Sequence, residues 1–154
     1  MVADLFGALL EEFGNLIDVK LQPDALHSCV IKTQEGVKVQ LELDRSSEHM
    51  VIACKLPEIP ASGGYRESVF REALKANGMP PPLRGIFAYS KTSKSLILYG
   101  KLDINGLTGA KILAFFNPFV AKAQVWHDAL TRGDVPVGTA AAAAKPSGGL
   151  FGLK

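Results

Sequence analysis

Cysteine is scarce in this chain of 154 residues: Cys29 and Cys54 are the only two. That excludes a small disulfide-built scaffold. Both lie in apolar, strand-like surroundings and read as buried thiols in a reducing cytoplasm, with a Cys29–Cys54 disulfide as the alternative. An excess of either charge is also lacking, since 17 Lys and Arg stand against 15 Asp and Glu. The lysines are scattered along the sequence and read as no basic stripe, so no nucleic-acid face is expected. No apolar run approaches the roughly 18 residues that suggest a membrane span. The opening residues carry Asp4, Glu11 and Glu12 without a basic segment, unlike a secretory signal.

Chemistry-bearing motifs are missing as well. Only three histidines occur, His27, His49 and His127. His27 and Cys29 share a strand face, but no further ligands follow at a metal-binding spacing. Gly63-Gly64 precedes a helix without the Lys-Ser/Thr of a phosphate loop and reads as a plain connection. The adjacent Glu11 and Glu12 point about 100° apart on a helix and read as a solvated face. Trp126, Phe115, Phe116 and Phe119 suit core packing better than base stacking. No catalytic centre, metal or cofactor is expected.

What is present is an ordered change of apolar period, and enough apolar residues, 47% of the chain, for a real core. Val2, Leu5, Phe6, Leu9, Leu10, Phe13, Leu16 and Ile17 repeat at helical spacing and predict an amphipathic helix over 3–16. Three strands follow, near 28–33, 37–44 and 49–56. The second alternates cleanly, with Val37, Val39, Leu41 and Leu43 on one side and Lys38, Gln40 and Glu42 on the other. A second helix is predicted over 65–77, ended by Asn77-Gly78 and three prolines. Two more strands cover 85–90 and 96–103. A last helix begins after Thr108, a plausible N-cap. Pro118 either kinks it or opens a fresh segment capped by Asn117. The order is α-β-β-β-α-β-β-α, an α+β domain over 1–132 with a mostly antiparallel twisted sheet packed against helices. Residues 133–154, rich in Pro, Gly and Ala, are expected to be a flexible tail, with Leu150, Phe151 and Leu153 as a potential docking peptide.

Several stretches resemble the class I type III secretion chaperones, the Tir chaperone family. Leu9-Leu10-Glu11-Glu12-Phe13-Gly14 is similar to the family's opening helix, and Val37-Lys38-Val39-Gln40-Leu41-Glu42 to its second strand. Phe70-Arg71-Glu72-Ala73-Leu74-Lys75-Ala76-Asn77 resembles its second helix. Leu96-Ile97-Leu98-Tyr99-Gly100-Lys101-Leu102 resembles its fifth strand. Phe116, Phe119, Ala123, Trp126 and Leu130 follow the spacing of its closing helix. The likeness spans about 3–131. Two features depart from the family: many members are acidic while this chain carries a net +2, and Pro118 interrupts the last helix. The resemblance implies a cytoplasmic homodimer without enzymatic activity. It would hold the N-terminal segment of a secreted effector extended, without ATP, and would have the export-apparatus ATPase as a further partner.

Two surfaces are expected on that basis. Leu5, Leu9, Phe13 and Leu16 of the first helix and Val30, Val39, Leu41 and Val51 of the strands are expected to face the effector. Val69, Phe70, Leu74, Ile86 and Phe87 are expected at the dimer contact, because the second helix and fourth strand carry surplus apolar residues. Ordinary core packing is the competing reading for each. The competing functions are a non-secretory protein-binding adaptor of the same fold and a small-molecule-binding α+β protein.

Overall fold

A computed structural model describes residues 2–136, with side chains from Leu5 onward. Eight elements run in the expected order: α1 (Val2–Ile17), β1 (Ser28–Lys32), β2 (Lys38–Leu43), β3 (His49–Glu58), α2 (Gly64–Asn77), β4 (Ile86–Ser90), β5 (Ser95–Asp103) and α3 (Gly109–Arg132). Residues 137–154, with the anticipated docking peptide, lie outside the described residues. Packing continues to Pro136, which is buried. Just before it, the Tyr65 hydroxyl donates to the Asp134 carbonyl at 2.9 Å.

The five strands form one antiparallel sheet in the order β1-β2-β3-β5-β4. After β3 the chain leaves through α2, lays β4 at the far edge and returns with β5 between them. Alternation along each strand sorts the side chains into two faces. Cys29 and Ile31, Val39 and Leu41, Met50, Ile52 and Cys54, Leu98, and Phe87 all point inward and are buried. Their partners in register match: Cys29 with Leu41, Leu41 with Ile52, Cys54 with Leu98, Leu98 with Phe87. Cys29 and Cys54 lie on strands separated by β2, about 9.6 Å apart by strand spacing alone, beyond disulfide reach. Both are free thiols. Burial raises the Cys29 thiol and pushes Cys54 up to about 11.

Helix α3 covers this inner face. Its Phe116, Phe119, Ala123 and Trp126 are fully buried, and the Trp126 and Phe87 rings lie 4.2 Å apart. Gly100 admits the helix closely, since a Cβ there would run into the Phe115 ring. Thr108 caps the helix by accepting from the Lys111 amide at 3.2 Å, and Gly133 ends it in the left-handed region at φ 79°. Of the two readings of Pro118, a fresh segment capped by Asn117 is excluded: α3 runs through Pro118 as one helix. Proline has no amide for the Ala114 carbonyl, and Ala114 lies on the exposed side of the helix. Helix α1 packs beside α3. Gly109 lies so close to Glu12 and Phe13 that a Cβ would sit within 2.8 Å of the Glu12 backbone. The Glu12 carboxylate accepts from the Gly109 amide at the start of α3, and the Phe13 and Phe116 rings meet edge to face at 5.0 Å.

Asp44 organises the turn from β2 to β3. Its carboxylate accepts from the Ser46 hydroxyl at 3.0 Å and the Glu48 and His49 amides at 3.1 and 3.2 Å, and it meets His49 Nδ1 at 2.9 Å. Desolvation alone would raise this acid. The hydrogen bonds from His49, Ser46 and Glu48 outweigh it and hold the group at about 2. A carboxyl with a depressed folded value adds stability above its ordinary value of 3.8, and the gain vanishes as pH falls through about 2. Asp44→Ala is therefore expected to lower the melting temperature at neutral pH, with the gap from the parent closing between pH 4 and pH 2. Thermal melts of both proteins across that range check it. Thr108→Ala should cost about 1 kcal/mol through loss of the α3 cap, read by urea unfolding.

Candidate functional site

Among the described residues no helix covers the outward face of the sheet. Its central row runs Val30, Gln40, Ala53, Tyr99, Ile86, one residue from each strand in the order of the sheet. Val30 is 57% exposed, and Ala53, Tyr99 and Ile86 are partly so. On one side of this row stand Ser28, Glu42, Val51 and Lys101; on the other, Lys55, Ile97 and Ala88 continue across β3, β5 and β4. The result is a shallow, mixed surface with an apolar centre.

Helix α1 divides its wide apolar stripe. Phe6, Leu9, Leu10 and Phe13 are buried, while Leu5 is 43% and Leu16 51% exposed. A groove of about 570 Å³ lies between Gly7, Gly14 and the segment 19–23. Of the eight side chains expected to face an effector, Leu5, Leu16 and Val30 are exposed and Val51 is partly so. Leu9, Phe13, Val39 and Leu41 are corrected to core. Leu9 and Phe13 point along the face of α1 that packs inward beside α3, and Val39 and Leu41 share the inward parity of Ile52. Alternation told which strand residues go together, but not which set α3 would cover.

The corner between α2 and β4 is built from polar contacts that sequence reasoning missed. Asn77, expected only to end a helix, turns its amide onto the edge strand. It donates to the Phe87 carbonyl at 2.9 Å and accepts from the Phe87 amide at 2.8 Å. Arg66 lies over the Phe70 and Tyr89 rings, 4.5 and 4.9 Å from their centroids, and donates to the Tyr89 hydroxyl and the Pro60 carbonyl, both at 3.3 Å. Lys122 of α3 donates to the Leu83 and Gly85 carbonyls at 3.1 and 2.9 Å, and burial lowers its ammonium. A half-buried lysine contacting two carbonyls has no distinguishing sequence signal. Among the residues expected at a dimer contact, Val69 and Phe87 are corrected to core, where they pack within one chain. Phe70 and Ile86 are partly buried, and Leu74 is 71% exposed.

Among the described residues no three His, Cys, Asp or Glu side chains converge as metal ligands. His27 is exposed in the turn before β1 while Cys29 points into the core, and His49 pairs with Asp44. No helix is long and apolar enough to cross a membrane among these residues. What the arrangement offers is area: an open sheet face, the outer edge of α1, and the exposed side of α2. Such surfaces suit recognition of another chain.

The sequence matches the model of the Tir chaperone protein (CesT) family over residues 8–127. A search of curated proteins finds no significant sequence match. Among solved structures the chain is similar to the Yersinia pestis type III secretion chaperone SycH, solved in complex with a stable fragment of YscM2. The TM-score is 0.61 at 18% identity, covering 79% of this chain and 98% of that one. It is also similar to the ExsC-ExsE complex, with a TM-score of 0.62 at 19% identity, covering 82% and 93%. The HopA1-SchA chaperone-effector complex gives 0.61 at 12% identity, covering 82% and 95%. At these identities the likeness bears on the fold.

The two classes of α1 leucine should separate by mutation. Leu5→Glu with Leu16→Glu is expected to leave the melting temperature within a few degrees, because both side chains already face water. Leu9→Ala should cost about 2–5 kcal/mol, and Leu9→Glu should prevent folding. Circular dichroism melts of the three variants decide the assignment.

Proposed function

The chain belongs to the Tir chaperone protein (CesT) family, and from that membership we propose that it is a cytoplasmic type III secretion chaperone. It binds the N-terminal region of a secreted effector and holds that region extended until export. The observation that carries this reading is the set of exposed apolar side chains, Leu5, Leu16 and Val30, on the outer edge of α1 and the open face of the sheet. An extended segment has unpaired backbone and separated side chains, so it is bound by long surfaces with repeated anchors rather than by one deep pocket. Work of this kind requires neither a cofactor nor bond chemistry, and the chain acts without enzymatic turnover.

The protein acts as a homodimer in this reading. Leu74, exposed on α2, together with the partly buried Phe70 and Ile86, forms an apolar corner beside the β4 edge. A two-fold axis there places the same corner against itself and doubles the surface offered to a client.

Capture of the native partner tests the function. The tagged full chain is purified from its own cytoplasm, and the complex is treated with protease. The expected result is one or a few co-purifying proteins protected over an N-terminal segment, with Leu5→Glu/Leu16→Glu losing most of that capture. A partner bound through a folded domain, or no partner, contradicts the reading. For the dimer, light scattering at micromolar concentration should give twice the 16.5 kDa mass of one chain, and Leu74→Glu should shift it toward the monomer.

A further inference from the structure

The outward sheet face carries a charge arrangement that folding does not account for. Lys32 of β1 stands directly opposite Lys38 of β2. Lys55 is the next outward residue of β3 beyond Ala53, as Lys38 is of β2 beyond its partner Gln40. Three ammonium groups therefore fall in one row across three neighbouring strands. All three are exposed, and none forms an ion pair among the described residues. Like charges directly opposite one another weaken an antiparallel pair. Lysine on an edge strand guards against unwanted strand addition, but that explains Lys32 alone, because β2 and β3 are interior strands. Glu42, which faces the same way, lies beyond Gln40 in the opposite direction along β2, and its carboxylate accepts from Gln40 Nε2 at 3.2 Å.

The row does not stand by itself. It runs on from Lys55 into Ile97 and Ala88, and the neighbouring row holds Val30, Ala53, Tyr99 and Ile86. The two rows are two residues apart along each strand, about 7 Å. That is also the spacing of residues i and i+2 in an extended peptide, which point the same way. Resting on the chaperone reading above, we propose that this face selects client segments in which an acidic side chain and an apolar one alternate at i and i+2. A segment lying along the strands sets a carboxylate on the row of Lys32, Lys38 and Lys55 and the apolar side chain two residues away on the row of Val30, Ala53 and Tyr99. A peptide fits better than a nucleic acid, because the lysines border an apolar strip, the row contains no arginine, and the whole chain carries only +2. A second copy of this chain fits poorly, since this face holds no row of carboxylates to offer in return.

The test uses fluorescence anisotropy with the full chain and two labelled peptides, one repeating Glu-Ser-Val-Ser and one repeating Lys-Ser-Val-Ser. The parent should bind the acidic peptide in preference, with affinity falling as salt rises. The triple variant Lys32→Glu, Lys38→Glu, Lys55→Glu should lose about tenfold or more for the acidic peptide and gain for the basic one. Its thermal melt reports that it is folded, and a triple change to Gln should fall between the two. The inference is overturned if the parent does not distinguish the peptides or binds neither. It is also overturned if charge reversal leaves the acidic affinity intact, or if duplex DNA binds where the acidic peptide does not. The captured native client separates the two levels of the argument. A client held equally by the parent and the triple variant leaves the chaperone reading standing and removes the lysine row from it. Peptide discrimination by a protein that captures no client does the reverse.

Discussion

The seating of α3 on one face of the sheet is the constraint on which the rest of this structure depends. Phe116, Phe119, Ala123 and Trp126 put the long helix against the inward residues of β3, β5 and β4, and Gly100 removes the side chain that would hold it off. The same helix then docks α1 through the close approach at Gly109, the Glu12 contact with its first amide, and the Phe13–Phe116 pair. Two helices thus pack to one side of the inner layer. The opposite face of the sheet is left to water or to another chain, because α2, the remaining helix of the described residues, is held at the β4 edge. One-sided coverage of an antiparallel sheet is stable when the open face alternates in polarity. Here that face keeps an apolar middle row, which is where folding and recognition part company.

The corner between α2 and β4 follows a different logic. Its apolar contacts are modest, and much of its definition comes from polar groups with fixed directions. Asn77 matches the amide and carbonyl of one strand residue. Arg66 bridges two rings and a loop carbonyl. Lys122 reaches from α3 to hold the segment that leads into β4. Hydrogen bonds of this kind fix orientation more than they add net stability, so the exposed Leu74 is presented at a defined angle on a helix whose position is set from behind.

The order of elements was legible in the sequence because each has a strong period: the i, i+3, i+4 stripe of α1, the strict alternation of Val37, Val39, Leu41 and Leu43, and the Asn77-Gly78 stop before three prolines. Thr108 marked the start of α3 for the same local reason. The candidate surface was half legible. Periodicity sorts residues into sets, so Val30 and Val51 separated from Val39 and Leu41 only once α3 was seen to lie on the other side. Leu5 and Leu16 differ from Leu9 and Phe13 by their angle around α1 relative to α3, a tertiary fact with no local signature. Pro118 was misleading in one of its two readings, because a proline inside a long helix is tolerated where the residue four before it, here Ala114, is exposed. The pairing of Lys32 with Lys38 required register, which a turn of uncertain length does not fix in advance.

The Asn77 amide also decides how the sheet is bounded. A β-sheet is by nature open-ended, and any outermost strand invites a neighbour to continue the ladder. Near the start of β4, at Phe87, the place of that neighbour's peptide group is already taken by a side chain from the same molecule. Lateral growth past β4 would first require Asn77 to be evicted from both bonds to Phe87. Any contact made at the margin beside α2 would therefore be through side chains rather than by merging backbones, and would not extend the sheet.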